Sequence, residues 1–138
     1  MELSDITTPA LAYLGDSVLE VCVRTYLVTE RGLSTSAHLN QASLDFVRAS
    51  AQSEAMGRIE PQLTETEASV YRRGRNMGHT NVPKSASVAE YRRATGMEVL
   101  FGYLSLTGQA ERINHLFRLG YGIPIPEATL NNNQEKQL

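Results

Sequence analysis

The sequence predicts a single all-α domain, and three observations support that fold class. No segment sustains the alternation of apolar and polar residues that a half-buried strand requires. Several segments open with strong helix caps, and apolar residues follow at helical spacing. The length of 138 residues and the composition, 41% apolar and 20% charged, suit one globular domain. We place this domain at residues 1–126 and a polar, disordered tail at residues 127–138.

The first two predicted helices are the longest in the N-terminal half. The first has Thr8 as its N-cap and Pro9 in its first turn, and it ends near Gly32. The second runs from about Ser36 to Gly57, where apolar residues at helical spacing form a broad side. Both helices therefore offer an apolar side to a core.

The third and fifth predicted helices are shorter. The third begins at Thr64, where Glu67 completes a capping box, and it ends at Gly74. The fifth covers residues 109–119.

The fourth predicted helix begins at Ser87, has Glu90 as its capping-box partner, and continues to about Leu106. It contains Gly96 and Gly102, each of which costs ~1 kcal/mol relative to alanine inside a helix. We therefore expect these glycines to permit the close approach of another helix backbone or of a ligand.

Two carboxylates stand in apolar surroundings. Asp16 lies within the apolar stretch 10–20, and Glu98 lies within the apolar stretch 97–104. Burying an ionised carboxylate without a partner is prohibitive, so such residues usually face a cation, a cavity or a strong hydrogen-bond donor. Because the two residues lie on different helices, the pattern indicates a metal site between those helices.

The composition argues against a secreted or membrane protein. No apolar run reaches the ~18 residues of a membrane span, and the N-terminus lacks the features of a signal peptide. The lone cysteine, Cys22, cannot form an internal disulfide, which fits the cytoplasm. Because Cys22 lies in the apolar first helix, we interpret it as a core residue rather than a nucleophile. We expect a cytoplasmic protein without a membrane partner.

Charge is distributed unevenly along the chain. The net charge is −2, yet residues 72–93 hold six basic residues against one acidic residue, Glu90, which leaves −7 on the rest of the chain. A basic segment on an acidic body is a candidate phosphate-binding patch. Within it, residues 74–86 are rich in glycine, asparagine and basic residues, which suits close approach to a phosphate backbone. A solvated surface loop stays an equal alternative.

Three motifs resemble a known family. Residues 14–20, LGDSVLE, resemble the signature helix of the ribonuclease III catalytic domain, and residues 98–104, EVLFGYL, resemble its second acidic helix. Residues 72–76, RRGRN, followed by Pro83 and Lys84, resemble the Mini-III subfamily, as does the absence of a double-stranded-RNA-binding domain near the C-terminus. Mini-III proteins are stand-alone catalytic domains that mature ribosomal RNA in bacteria.

The resemblance implies a specific activity on the ribonuclease III helical bundle. It implies a Mg²⁺-dependent endoribonuclease, with Mn²⁺ as a substitute, that cleaves double-stranded RNA such as the 23S ribosomal RNA precursor and leaves 5′-phosphate and 3′-hydroxyl ends. Asp16 matches the signature aspartate and Glu98 the late glutamate, so both are assigned to catalysis and metal binding. The assigned RNA-binding residues are Arg72, Arg73, Arg75, Asn76, Lys84 and Arg92.

The resemblance also implies a two-fold dimer, because ribonuclease III-like domains pair in this way. The first and fourth predicted helices are apolar around most of their circumference, which is more than a five-helix monomer easily buries. We therefore expect a homodimer to which the surfaces of both helices contribute.

Three positions depart from the family pattern. Full-length ribonuclease III proteins carry acidic residues where this chain has Pro9, Ala12 and Thr95. Fewer carboxylates weaken Mg²⁺ binding and leave more coordination positions to water and substrate phosphate. A non-catalytic protein on the same fold, which binds double-stranded RNA or assists ribosome assembly, therefore stays open as an alternative. A purely structural helical module is the third hypothesis.

Three further residues allow a functional and a structural interpretation. Glu20 either contacts water near the acidic residues or, as we favour, pairs with Arg24 one turn later. Thr95 either binds such a water or, as we favour, hydrogen-bonds its own helix backbone. His79 in the basic loop is a candidate phosphate contact.

Overall fold

The structure, a computed structural model, describes residues 2–78 and 86–126. All regular secondary structure in these two ranges is helical, which confirms the predicted fold class. Short 3-10 helices cover Leu3–Asp5 and Glu60–Gln62. The α-helices are α1 (Thr8–Thr29), α2 (Ser36–Val47), α3 (Ala49–Ile59), α4 (Glu65–Arg75), α5 (Val88–Leu106) and α6 (Ala110–Tyr121).

Helix α5 occupies the centre of the fold and packs against α1, α3 and α4. Met97 and Leu100 are buried in the main core, while Val99 joins a second cluster with Leu11 of α1 and Val70 of α4. The apolar circumference of this helix is thus largely buried within one chain. Part of the expectation that led to a dimer is therefore wrong, because most of α5 needs no partner chain to cover it.

The start of α1 differs from the prediction by one residue. The N-cap is Thr7, whose hydroxyl accepts a hydrogen bond of 3.2 Å from the amide of Ala10. Thr8 is the first helical residue and Pro9 the second. The predicted cap at Thr8 is wrong because either threonine can cap, and Pro9 is tolerated anywhere in the first turn, where its missing N–H would have no helical partner.

The predicted second helix is in fact two helices. The backbone at Arg48 is extended, with φ −63° and ψ 146°, so α2 ends at Val47 and α3 begins at Ala49. The side-chain amide of Gln52 donates to the Val47 carbonyl at 3.2 Å, which satisfies a carbonyl freed by the break. Neither proline nor glycine marks this position. The break follows from packing, because α2 contacts α1 whereas α3 contacts α5 and α6.

Both predicted capping boxes are present. The Thr64 hydroxyl accepts from the Glu67 amide at 3.1 Å, and the Glu67 carboxylate accepts from the Thr64 amide at 2.9 Å. Ser87 and Glu90 form the same reciprocal pair at the start of α5, at 3.1 and 3.2 Å. Glu67 also accepts two hydrogen bonds of 2.9 Å from Arg112, which tie α4 to α6.

The C-terminal part of the described chain agrees with the prediction in outline. The helix predicted over residues 109–119 extends to Tyr121, and Gly122 ends it with a φ of 66°. The predicted tail, residues 127–138, lies outside the described residues. Across residues 2–78 and 86–126, none of the helices combines the length and the apolar character that a membrane crossing demands.

Candidate active site

Helices α1 and α5 touch along their backbones. A Cβ atom at Gly15 would lie 1.6 Å from the carbonyl oxygen of Glu98, and a Cβ atom at Gly102 would lie 2.2 Å from the carbonyl oxygen of Leu11. Real Cβ atoms essentially never approach another atom so closely, so any larger residue at either position would have to move the two backbones apart. The expectation that Gly102 permits the close approach of another helix backbone is confirmed.

This crossing brings the two predicted acidic residues together. Asp16 directly follows Gly15, and the backbone of Glu98 contacts Gly15 from the other helix. Burial and, second, the negative charge of Asp16 raise the pKa of Glu98 to about 8. Glu98 is therefore largely protonated at neutral pH when nothing positive lies between the two carboxyl groups.

The two carboxyl groups differ in their exposure. Glu98 is half-buried, whereas Asp16 is exposed. The expectation that apolar residues enclose Asp16 is wrong, because the buried row of α1 runs through Leu11, Gly15 and Leu19, and Asp16 lies one residue, about 100°, around the helix from that row. The pair is consequently open on its Asp16 side, where a large substrate can reach it.

The pair fits a divalent cation by the chemistry of its donors. Carboxylate oxygens are the hard ligands that Mg²⁺ prefers, and Mg²⁺ commonly takes one or two carboxylates plus water and phosphate. Burial and, second, the charge of Asp16 disfavour the ionised form of Glu98, and a bound cation would offset both effects. Over residues 2–78 and 86–126, no group of three or more His, Cys, Asp or Glu side chains is placed to hold a metal ion.

Three nearby residues have structural roles. Arg24 donates to the Glu20 carboxylate at 2.9 Å, so the favoured helix pair is confirmed. The Thr95 hydroxyl donates to the carbonyl of Tyr91 at 3.0 Å, so its favoured backbone interaction is confirmed too. Burial raises the pKa of the Cys22 thiol to about 11, which keeps it protonated and supports its interpretation as a core residue.

The predicted RNA-binding residues that the structure describes lie in two places: Arg73 contacts the start of α1, whereas others line a cleft beside α5. Arg73 donates to the Thr8 hydroxyl at 3.1 Å, so it ties the end of α4 to the start of α1. Arg72, beside it, is exposed. Lys84 and His79 lie outside the described residues.

Three further arginines, Arg75, Arg92 and Arg93, line one cleft. It lies between the end of α4 and the first turns of α5, and its volume is about 320 Å³. Arg75, Asn76 and Arg92 line it, together with Tyr71 and Arg93, which the sequence analysis did not assign to RNA binding. Arg93 was visible in the basic segment, but Tyr71 had no signal because it occupies an ordinary apolar position of its helix.

The comparisons with known proteins identify the family. A family model described as the ribonuclease III domain matches residues 9–109. The chain belongs to the ribonuclease III family. The resemblance inferred from the sequence motifs is thereby confirmed, and the acidic pair lies on two helices within the matched residues.

Relatives within the ribonuclease III family are similar over most of their length. A protein named Mini-ribonuclease 3 from Symbiobacterium thermophilum is 46% identical over 108 residues, which cover 78% of this chain and 82% of that protein. The Mini-ribonuclease 3 of Brevibacillus brevis is 38% identical over 120 residues, which cover 86% of this chain and 89% of that protein. A crystal structure of a protein from Fusobacterium nucleatum has a TM-score of 0.75 at 28% identity and covers 83% of this chain and 90% of that one.

Proposed function

We propose that this protein is a Mg²⁺-dependent endoribonuclease that cleaves double-stranded RNA during maturation of the 23S ribosomal RNA precursor. Membership of the ribonuclease III family places it among the endoribonuclease hydrolases. One observation carries the finer proposal: the Gly15–Gly102 crossing holds Asp16 and Glu98 side by side on the two helices whose motifs match that family.

The chemistry follows from what phosphodiester hydrolysis requires. The reaction needs an activated water, in-line geometry and neutralisation of charge on the phosphoryl oxygens. A divalent cation held by Asp16 and Glu98 would supply activated water and charge neutralisation, and the products would carry 5′-phosphate and 3′-hydroxyl ends. Glu98 must release its proton when the site is loaded, and exposed Asp16 presents the open side of the pair to the RNA.

The basic residues oppose the repulsion between RNA and an acidic body. We assign the RNA-binding surface to Arg72, Arg73, Arg75, Asn76, Lys84 and Arg92. Arginine and lysine at phosphates supply affinity without reading sequence, which suits A-form RNA, where recognition depends mainly on shape, phosphate and 2′-hydroxyl contacts.

The dimer is part of the same proposal. Tyr13, Val21 and Val28 lie on one face of α1 and are exposed by 84%, 64% and 54%. These residues are spaced by about two helical turns, so they form an exposed stripe of α1 that also carries the polar side chains of Ser17 and Arg24. A homodimer built on this stripe would bury it and would bring two acidic pairs to one duplex, with each subunit cutting one strand.

The first experiment incubates purified protein with a labelled RNA duplex, with and without Mg²⁺. We expect cleavage that requires the metal and is lost in Asp16→Asn, which keeps the volume of the side chain but weakens the metal site. Asp45→Asn is the matched control, because Asp45 is an exposed carboxylate on α2 that belongs to no proposed site.

A second function has one observation in its favour, namely that two carboxylates and not three or more meet within the described residues. A non-catalytic RNA-binding protein would bind the duplex equally well as wild type and as Asp16→Asn, and neither would cut with Mg²⁺ or Mn²⁺. That result would replace the nuclease proposal.

A further inference from the structure

The cleft between α4 and α5 has a net positive lining. Three guanidinium groups, from Arg75, Arg92 and Arg93, face it, and Glu60 at the end of α3 contributes a single carboxylate. Arg93 is held in place because its guanidinium donates to the Ser53 hydroxyl at 3.2 Å. The cleft is therefore a preformed site with a surplus of two positive charges.

The floor of this cleft contains a hydrogen-bond donor that lacks an acceptor. Tyr71 is 1% exposed, and within the described residues no group accepts a hydrogen bond from its buried hydroxyl. Arg75 lies over the Tyr71 ring with its guanidinium carbon 5.7 Å from the ring centre, but arginine has donors only and cannot accept the phenol proton. A buried polar group without a partner is costly, so a ligand with acceptor oxygens would stabilise this site.

The charge state of Tyr71 agrees with a donor role. Burial is the largest influence on its pKa and raises it, so the phenol keeps its proton at neutral pH. The carboxylate of Glu60 acts in the same direction, whereas the guanidinium groups of Arg75 and Arg93 oppose the shift.

The cleft is separate from the acidic pair. On α5, Gly96 contacts Tyr71, since a Cβ atom there would lie 2.6 Å from the Tyr71 ring. The backbone of Glu98 contacts Gly15 of α1 instead. Two residues of helix turn the direction by about 200°, so the cleft and the acidic pair lie on opposite sides of α5. A group bound in the cleft therefore does not occupy the cleavage site of the same chain.

We propose that this cleft binds the terminal phosphate of a nucleotide, with Tyr71 donating to a phosphate oxygen and the arginines pairing with its charge. A phosphomonoester carries close to two negative charges at neutral pH, which matches the surplus of the lining better than the single charge of a phosphodiester. The volume of about 320 Å³ lies at the lower end of small-ligand pockets, ~300–1,000 Å³, and accommodates a phosphate group.

The same chemistry is available from two sources, a free nucleotide or the 5′-phosphate end of an RNA strand. Only the second source rests on the proposed function.

The first test is calorimetric titration of the whole protein with inorganic phosphate and with adenosine 5′-monophosphate, and adenosine serves as the control without phosphate. We expect both phosphates to bind and adenosine not to bind. Tyr71→Phe removes one hydrogen bond to a charged group, so it should weaken binding roughly tenfold or more. Arg93→Gln should weaken it at least as much.

The melting temperature separates ligand binding from a structural role of the hydroxyl. Because no described group accepts a hydrogen bond from the Tyr71 hydroxyl, Tyr71→Phe should leave the melting temperature unchanged or raise it. A lower melting temperature together with unchanged phosphate affinity would overturn the proposal, as would failure of both phosphates to bind the wild-type protein.

The second test distinguishes the two sources. Binding of one duplex is measured with a 5′-phosphate and with a 5′-hydroxyl end, in Asp16→Asn protein that leaves the RNA intact. Tighter binding of the phosphorylated duplex, lost in Tyr71→Phe, identifies the RNA end, whereas equal binding with a positive nucleotide titration identifies a free nucleotide. Absence of cleavage by the wild-type protein with Mg²⁺ or Mn²⁺ would overturn the nuclease proposal alone, since the nucleotide titration does not depend on it.

Discussion

Glu98 is a residue whose ionisation is coupled to folding. Its pKa is about 8 in the folded protein because of burial and the nearby Asp16 charge, against ~4.3 for a glutamate in an unfolded chain. The folded state therefore binds a proton that the unfolded state has released between these pH values. The stability contributed by protonated Glu98 is fully present below the unfolded-state pKa of ~4.3. It is lost as the pH rises through the folded-state pKa of about 8.

Stability of the metal-free protein should accordingly fall between pH ~4.3 and about 8, in a way that Glu98→Gln abolishes. Urea unfolding in the presence of a chelator, at pH 5, 7 and 9, measures the effect for both proteins. Added Mg²⁺ should restore stability in the wild type at high pH, because the cation replaces the proton between the carboxylates. Parallel pH profiles of the two proteins would contradict this coupling.

The helix crossing is the element that positions the acidic pair. Its two close contacts join main chain to main chain, at Gly15 against Glu98 and at Gly102 against Leu11. Side-chain repacking cannot relieve a Cβ atom placed at such a contact, so a larger residue must push the helices apart.

Gly15→Ala should therefore destabilise the protein by about 1–3 kcal/mol or more and should abolish cleavage, because α1 must move away from Glu98. Gly57→Ala is the matched control, since Gly57 lies inside α3 and a Cβ atom there meets nothing within 4 Å. That substitution should stabilise by roughly 0.5–1 kcal/mol. Thermal unfolding and the duplex cleavage assay measure both effects, and equal outcomes for the two alanines would contradict the role of the crossing.

Some elements are encoded locally, and the sequence predicts these well. Thr64 with Glu67, and Ser87 with Glu90, form capping boxes from residues three apart, so the starts of α4 and α5 are readable without tertiary information. The break at Arg48 is different, because it results from packing against three other helices and carries no proline or glycine.

The candidate site likewise has features that are visible in the sequence and features that depend on tertiary packing. The motifs around Asp16 and Glu98 are visible in the sequence, whereas the exposure of Asp16 depends on which side of α1 faces α5. The unpaired hydroxyl of Tyr71 also escapes prediction, because only the folded chain shows that it meets no acceptor among the described residues.

The whole molecule is electrostatically polarised, with a basic segment on an acidic body. Replacing exposed Arg72 with glutamine should weaken duplex binding and reduce the slope of log affinity against log salt by roughly one unit per lost phosphate contact. Arg24→Gln is the control, because Arg24 is already paired with Glu20 on α1. Binding is measured in a chelator over a range of salt concentrations, and an unchanged slope for Arg72→Gln would place the RNA elsewhere.

The proposed oligomeric state of the whole molecule depends on the exposed face of α1. Val21→Glu should convert a dimer into a monomer, because it replaces the central apolar side chain of the exposed stripe of α1 with a charge. Thr66→Glu, which adds the same charge at an exposed position of α4, should leave the dimer intact. Light scattering at micromolar concentration measures both, and a wild-type protein of monomer size would contradict the proposed dimer.

Because main-chain atoms make the helix crossing, most evolutionary substitutions in α1 and α5 leave the geometry of the acidic pair unaffected. Apolar residues elsewhere in α1 and α5 can exchange for one another without moving the backbones at Gly15 and Gly102, since the contact there involves no side chain of either helix. Substitutions in the surrounding core therefore leave the spacing of the two acidic groups unchanged. Related proteins can differ at most apolar interior positions and keep the same chemistry, provided that they keep the two carboxylates and the two glycines beside them.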